Sequence, residues 1–413
     1  MKNLNTTFYF LCLLTFVTVQ AHSQQTEQIL ASSTPVKKPV PITTGEVIKE
    51  DEKKEEEKPT FTLSGSVDTY FHSTFKTTNS YYGDAYASST SFADQKGFAL
   101  GMVNLIATYS GEKAGFTADL VFGPRGKAAV FGTASGQAII NQAFAFYKFS
   151  DKVTLNMGQF NTFVGYEVIS PTVNFHYSTS YLFSWGPFNH TGARLDFALA
   201  NGIVAKLAVM NPTDIVEFNP VDTYTFGAQV GKVSDKGGIW LNFLYGDQDG
   251  TLDEDEAEPL EASAGNLLQG DITLGYSLTE KFYLGFNASL QSVATGEEVD
   301  TNGDIVDTSG DASSFYGFAV YPKVTLSESF AIGLRAEYFS TTNSHFASPI
   351  IGLDADGDGD VMAFTLSANY KTGGLTFIPE LRIDKTSEDS FINNDGDAKN
   401  LLPSINLAAV YKF

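Results

Sequence analysis

The chain has 413 residues and a formal net charge of −22, from 26 Lys and Arg against 48 Asp and Glu. Binding to nucleic-acid phosphates wants clustered basic side chains, so this balance excludes nucleic acid as a partner. Mean hydropathy is near zero and the sequence holds no apolar run of about 18 residues, which excludes spanning helices. Aromatic residues make up 13 % of the chain, and there are 37 Gly. That composition suits alternating strands in which only one flank is apolar.

The N-terminus carries Lys2, an apolar core over 8–19 and an Ala21-His22-Ser23 site before Gln24. This pattern predicts a secretory signal peptide at 1–23, with a core too short to span a membrane. Cys12 is the chain's one cysteine and lies within this leader, so the mature chain forms no disulfide. Residues 24–59 contain Pro35, Pro39 and Pro41, then the charged run KEDEKKEEEK over 49–58. Such a segment buries too little apolar surface to fold alone and is expected to be a disordered periplasmic tether.

From Thr60 onward, runs of alternating apolar and polar residues predict strands. They fall at 60–74, 97–109, 115–123, 138–149, 152–163, 191–200, 202–210, 223–233, 238–247, 268–278, 281–293, 313–326, 328–341, 361–371, 374–386 and 402–413, sixteen in all. Tight turns follow the even-numbered strands, as at Ser150-Asp151, Asn201-Gly202 and Thr372-Gly373-Gly374, and longer polar loops follow the odd-numbered ones. An up-and-down transmembrane barrel has this asymmetry, with short periplasmic turns and long extracellular loops, whereas a soluble sandwich has no cause for it. Within 328–341, Phe330, Ile332, Leu334 and Tyr338 alternate with Gly333, Arg335 and Glu337. A sixteen-stranded barrel is too wide for side chains alone to fill, so the apolar flank is assigned to lipid and the charged flank to water. An even strand count puts both ends of the barrel on the short-turn side. Tyr147, Phe149, Tyr245, Tyr276, Tyr338, Tyr370 and Tyr411 fall near strand ends, where aromatic girdles sit.

The connection over 165–189 breaks the pattern. It is too long for a hairpin turn and too aromatic for a solvated loop, with Tyr166, Phe175, Tyr177, Tyr181, Phe183, Trp185 and Phe188 beside Glu167 and His176. It is expected to fold into the barrel and constrict the pore. Charged residues on the polar flanks are candidate pore lining: Asp68, Asp119, Lys148, Arg194, Asp196, Lys206, Asp271, Arg335, Glu337, Glu380 and Arg382. Charges on the lipid side at midplane would cost about 2–4 kcal/mol for Lys or Arg, which places them inward. A purely structural alternative pairs Arg335 and Glu337 with Glu380 and Arg382 across neighbouring strands. The scarcity of basic residues suggests a mild cation preference.

Asp354, Asp356, Asp358 and Asp360 open like a calcium loop, D-x-D-x-D-G. The twelfth position is Thr365, where a bidentate Glu is required, and a solvated acidic loop competes with the calcium reading. Weaker echoes occur at Asp300-Thr301-Asn302-Gly303-Asp304 and at Asn393-Asn394-Asp395-Gly396-Asp397. For catalysis, His72, His176, His190 and His345 lie in four regions, with no H-E-x-x-H or G-x-S-x-G spacing. The nearest approach to a hydrolase is His176 and His190 with Ser178 or Ser180 in the long loop, and the chain is read as a non-enzyme.

Gly158-Gln159-Phe160, Gly165-Tyr166-Glu167, Asn174, Tyr177-Ser178, Ser180, Pro187 and His190-Thr191-Gly192-Ala193-Arg194 resemble the OmpL-like β-barrel porin family. The resemblance implies an outer-membrane channel for small solutes and supplies no ligand. The C-terminal Tyr411-Lys412-Phe413 resembles the terminal signal read by the barrel assembly machinery. The resulting expectation is an all-β transmembrane barrel acting as a diffusion porin for small hydrophilic solutes or ions. It would be surrounded by outer-membrane lipid and lipopolysaccharide, with a homotrimer as a possible assembly. A surface binding or adhesion barrel is the alternative, and an outer-membrane hydrolase a more distant one.

Overall fold

The computed structural model describes residues 59–75, 77–79, 90–130, 139–252, 262–300, 302, 304–345 and 352–413. The expected signal peptide and all but the last residue of the expected tether lie outside these.

Sixteen antiparallel strands close a barrel in simple chain order. They are β1 (Thr60–Ser73), β2 (Gly97–Ser110), β3 (Ala114–Phe122), β4 (Ile140–Ser150), β5 (Val153–Asn161), β6 (Asn189–Ala198), β7 (Ile203–Met210) and β8 (Thr225–Ser234). The circuit continues with β9 (Gly237–Gly246), β10 (Leu267–Ser277), β11 (Phe282–Val293), β12 (Ser313–Ser327), β13 (Phe330–Thr342), β14 (Gly359–Thr372), β15 (Leu375–Thr386) and β16 (Leu401–Lys412). Closure comes from β1 on β16, running from Ser66 opposite Lys412 to Ser73 opposite Ile405. The backbone of Phe413 exchanges hydrogen bonds of 3.1 and 3.0 Å with Gly65. A closed ladder leaves no unpaired edge, which is the condition for strands to cross hydrocarbon.

The alternation appears as two faces. Ile332 and Leu334 of β13, Met362, Phe364 and Leu366 of β14, and Leu381 and Ile383 of β15 are exposed. Their neighbours Arg335, Glu337, Thr365, Ser367, Glu380, Arg382 and Asp384 are buried inside. An outward apolar band with a polar interior is the transmembrane arrangement, the inverse of a soluble barrel. Tyr147 and Phe149 lie on the outer face as an edge-to-face pair, centroids 5.2 Å apart, near the short-turn end of β4.

Short turns join β2–β3, β4–β5, β8–β9, β12–β13 and β14–β15 directly. The β6–β7 turn runs through a single 3-10 turn at Ala200–Gly202, with Asn201 at φ 60°. The long connections carry structure of their own that strand periodicity does not reveal. Ala262–Ser263, Glu297–Val299 and Ile305–Asp307 form one small sheet, and Thr77–Asn79, Phe391–Asn393 and Ala398–Lys399 form another. A short helix α1 (Pro124–Ala129) follows β3, with Pro at its start, and α2 (Tyr181–Trp185) lies in the long loop after β5.

Candidate functional site

The loop over 162–188 fills the barrel interior. Phe163, Ile169, Tyr177, Tyr181 and Phe188 are each at most 1 % exposed, and apolar clusters join the loop to the inner wall. Tyr181, Leu182 and Trp185 pack with Phe315, Ala319, Tyr321 and Phe339 of β12 and β13. Ile169, Phe183 and Phe188 pack with Phe92, Met102, Val121 and α1.

A loop inside a barrel must satisfy its backbone polar groups without a sheet of its own, and the wall supplies the partners. Glu380 accepts from the Tyr177 N–H at 2.9 Å, the Ser178 N–H at 3.2 Å, the Ser367 hydroxyl at 2.9 Å and the Asn406 amide at 3.0 Å. Glu337 accepts from the Tyr181 and Leu182 N–H groups at 2.9 and 2.8 Å, across the first turn of α2. The Ser180 hydroxyl caps the same helix by accepting from the Phe183 N–H at 2.9 Å.

Two guanidinium groups take the loop's carbonyls. Arg335 pairs with Glu167 at 2.6 Å and donates to the carbonyls of Ser178 at 2.7 Å and Thr179 at 3.1 Å. Arg382 is held by Asp384 at 2.7 Å and donates to the Thr179 carbonyl at 2.6 Å. Glu167 closes the loop internally by accepting from the Ser180 N–H at 2.7 Å.

On the opposite wall Tyr177 donates to Asp68 at 2.6 Å. Asp68 faces a bulge: the β1–β2 register slips between Val67 and Thr69, and the freed Met102 N–H donates to its carboxylate at 3.0 Å. A Cβ on Gly101 would overlap that carboxylate, so glycine is required where the two strands approach. Asp119 faces a second bulge, on β4, and accepts from Asn141 at 2.7 Å, Gln142 at 3.0 Å and Asn104. In both places the extra residue turns donors toward a buried carboxylate, as bulges re-aim side chains elsewhere.

The loop's ends are fixed separately. At its start Gly165 has φ 89° and donates to Asp271 at 3.1 Å, while the Tyr166 ring stacks on Tyr321 at 4.2 Å. At its exit Asp214, in the β7–β8 connection, accepts from the Phe188 and Asn189 N–H groups at 2.7 Å each. Burial pushes the Asp214 carboxyl well above the ordinary carboxylate range.

Of the sequence-derived candidates, Asp68, Glu167, His176, Tyr177, Tyr181, Arg335, Glu337, Glu380 and Arg382 come together around 167–181. Trp185 joins through α2, and Tyr166 through Tyr321 and Tyr283. Arg194 and Asp196 form a separate pair at 2.8 Å, with Arg194 lying over Phe160 at 4.5 Å. Asp119 sits in its own amide cluster.

Two expectations need correction. The charged flank was assigned to a continuous water column, yet Arg335 and Arg382 are 0 and 1 % exposed and Glu337 and Glu380 are 3 and 1 % exposed. They hold the loop's backbone instead. In place of the alternative cross-strand pairing of Arg335 and Glu337 with Glu380 and Arg382, the ion pairs are Arg335 with Glu167 and Arg382 with Asp384.

Sequence reasoning missed Arg125, from α1. It donates to the Ile169 carbonyl at 2.9 Å and lies over the Phe92 ring at 4.4 Å. Only a lone basic residue after a Pro in an unpatterned loop marked it.

His176 and His190 have different partners: His176 meets Ser367 at 2.8 Å and His190 meets Thr162 at 2.9 Å. In the calcium-like loop, Asp354 accepts from the Asp356 and Asp358 N–H groups at 2.9 and 3.0 Å, so its carboxylate already closes the turn. Asp360 accepts from the Tyr338 hydroxyl at 2.6 Å. Among the described residues no group of three or more His, Cys, Asp or Glu is arranged to hold a metal.

Inside the barrel one cavity of about 100 Å³ lies between the loop segment 168–173 and β1–β4. Ser66, Asn104, Asp119, Asn141 and Lys412 are among the side chains lining it. That volume holds several waters.

The sequence over residues 60–413 matches the model of a family described as "Putative beta-barrel porin-2, OmpL-like". The chain belongs to this family. It is thus a porin-family barrel of the outer membrane. No curated protein matches the sequence. Solved outer-membrane barrels share its fold. The outer membrane channel DcaP of Acinetobacter baumannii has a TM-score of 0.57 at 12 % identity, over 86 % of this chain and 98 % of that one. An anion-selective porin from Comamonas acidovorans gives 0.55 at 11 %, over 86 and 100 %. In-vitro folded OmpT of Vibrio cholerae, in a trimer form, gives 0.52 at 11 %, over 86 and 100 %. At such identities the likeness extends to the fold.

The family motif now has physical content. Gly158 has φ 132° and stands opposite Gly192, with no room for a Cβ against the neighbouring strand. Glu167 meets Arg335. Asn174 closes the loop tip by accepting from the Val168 N–H at 2.9 Å and donating to its carbonyl at 2.6 Å. Tyr177 and Ser178 are points at which wall carboxylates grip the loop, and Ser180 is held by the loop's own Glu167.

Proposed function

We propose that this porin is a non-enzymatic channel for passive diffusion of small hydrophilic solutes or ions, and that loop 162–188 sets its bore. The observation that carries the reading is the unequal hold on the loop. Residues 174–188 are tied to β1, β13 and β15 by the buried charged groups described above, and to β14 by Ser367 and Asn369. By hydrogen bonds the segment 168–173 is tied mainly to itself and to Asn174, with Arg125 to the Ile169 carbonyl as its charged contact and the Ile169 side chain packed among Phe92, Met102 and Val121. It also borders the 100 Å³ cavity. The solute path follows this side, between 168–173 and β1–β4, and widens when 168–173 shifts.

The short turns face the periplasm, both ends of the barrel lie there, and the long acidic loops face outward, as expected of barrels of this kind. A trimer is the proposed assembly, in keeping with the trimer form of OmpT of Vibrio cholerae. The test is planar-bilayer recording of the mature chain. A variant in which 168–173 is replaced by a Gly-Ser segment of equal length should conduct more than the parent, whereas Leu182→Ala on the tightly held side, against Phe315 and Phe339, should change conductance less. Equal conductance of the Gly-Ser variant and the parent would remove this path.

A further inference from the structure

We propose that the short-turn end of the lumen is an electropositive vestibule that gathers small mobile anions. The proposal rests on the porin reading above and goes beyond it. It follows from comparing which charged side chains of the inner wall are buried and which reach solvent.

Six of the inner-face acids are withdrawn. Asp68, Asp119, Asp271, Glu337, Glu380 and Asp384 are all at most 6 % exposed, with their oxygens engaged by loop backbone, amides or Arg382. The inner-face charges that keep contact with solvent are Lys148, Asp196, Lys206, Lys323, Lys371 and Lys412. Five are cationic, and the one acid is paired with Arg194 at 2.8 Å.

Their inward direction follows from strand parity. Lys206 shares a face with buried Ala208 and Met210, Lys323 with buried Tyr321, Lys371 with buried Asn369, and Lys412 with buried Val410. Their level follows from position in the strands. Lys148 lies in the last turnward residues of β4, Lys206 at the middle of β7 on its turnward half, Lys323 in the turnward third of β12, and Lys371 and Lys412 at the ends of β14 and β16. All five lie in the turnward half of their strands, and Lys148, Lys371 and Lys412 lie at the short-turn end itself.

Lys206 donates to Gln229 at 2.7 Å, and Lys323 lies over the Tyr283 ring at 4.5 Å. Neither partner carries a formal charge. Among the described residues Lys148, Lys206, Lys323 and Lys371 form no ion pair. A wall of one sign beside low-dielectric protein raises the local concentration of counter-ions. The long loops at the other end are acidic, so the field is directed along the barrel axis and does not merely reflect the net charge of −22.

The test uses the full mature chain and a K148Q/K206Q/K323Q/K371Q variant, both shown to be folded by heat-modifiable migration on gels. Under a KCl gradient the parent should favour chloride over potassium by about threefold, and the variant should fall toward equality. Binding of a pyrene trisulfonate dye to detergent-solubilised protein, read by anisotropy, requires no conduction. It should be present in the parent, lost in the variant and weakened by added salt. Ion current without anion preference and without dye binding would overturn the vestibule and leave the porin intact. Dye binding in a barrel that passes no current would uphold the vestibule and remove the porin.

Discussion

Asp68 and Tyr177 are separated by 109 positions in sequence, and their 2.6 Å hydrogen bond joins the first strand to the middle of the loop. Hydrogen bonds to charged groups contribute about 2 kcal/mol, so Tyr177→Phe should lower barrel stability by that order, read as a drop in the thermal midpoint in detergent. Gly101→Ala should do comparable damage, because its Cβ would displace the Asp68 carboxylate. Arg335→Leu should cost more, about 3 kcal/mol, since it leaves Glu167 buried without its ion-pair partner. If Arg335→Leu proved as stable as the parent, the loop would not depend on the wall for its charge balance. The sequence did place Arg335, Glu337, Glu380 and Arg382 on the inner flank, because a strand's side chains alternate strictly. It could not say what they meet inside. Their loop partners lie 155 to 203 positions away, and period 2 carries no information across that separation.

At the scale of elements, strand boundaries were legible to within a few residues. Lipid on one side and polar surroundings on the other force a regular pattern, and short turns need Gly, Asn, Asp or Ser. The small loop sheets and α1 were not legible, since two- and three-residue strands are too short to show a period. The long loop was recognisable from its aromatic content, but its grip on the wall was not. Its exit is pinned by Asp214, which uses one oxygen for two backbone N–H groups while the other has no hydrogen-bond partner among the described residues. Burial raises this carboxyl's pKa, so the native state holds the proton more tightly than the unfolded chain does. Its contribution is therefore complete at acid pH below the ordinary carboxylate value of about 4, and fades as pH rises through the raised native value. Asp214→Asn keeps the acceptor without the charge. It should preserve the thermal midpoint near neutral pH and flatten its pH dependence relative to the parent; an unchanged pH profile would count against this role. Asp214→Ala should destabilise by about 1–3 kcal/mol, because two buried N–H groups lose their acceptor.

On the scale of the whole molecule, the barrel and its filling are joined by apolar clusters on several sides of the loop. Sixteen strands enclose a space too wide for their own side chains, and the chain fills it with a loop whose backbone is hydrogen-bonded to inward-facing carboxylates and guanidinium groups, together with Phe92 and α1 packed beside it. The polar flank thereby has two uses. Its upper acids and arginines hold the loop, and its solvent-reaching lysines colour the short-turn mouth. Composition made the barrel visible and left the lumen undescribed, because a net charge of −22 does not report which acids are accessible. Conductance of the mature chain in planar bilayers, compared with that of the variant carrying Gly-Ser at 168–173, tests the central claim most directly. Discrete current steps in the parent that grow when 168–173 is loosened are the predicted result, and a folded barrel that passes no current in either form would contradict it.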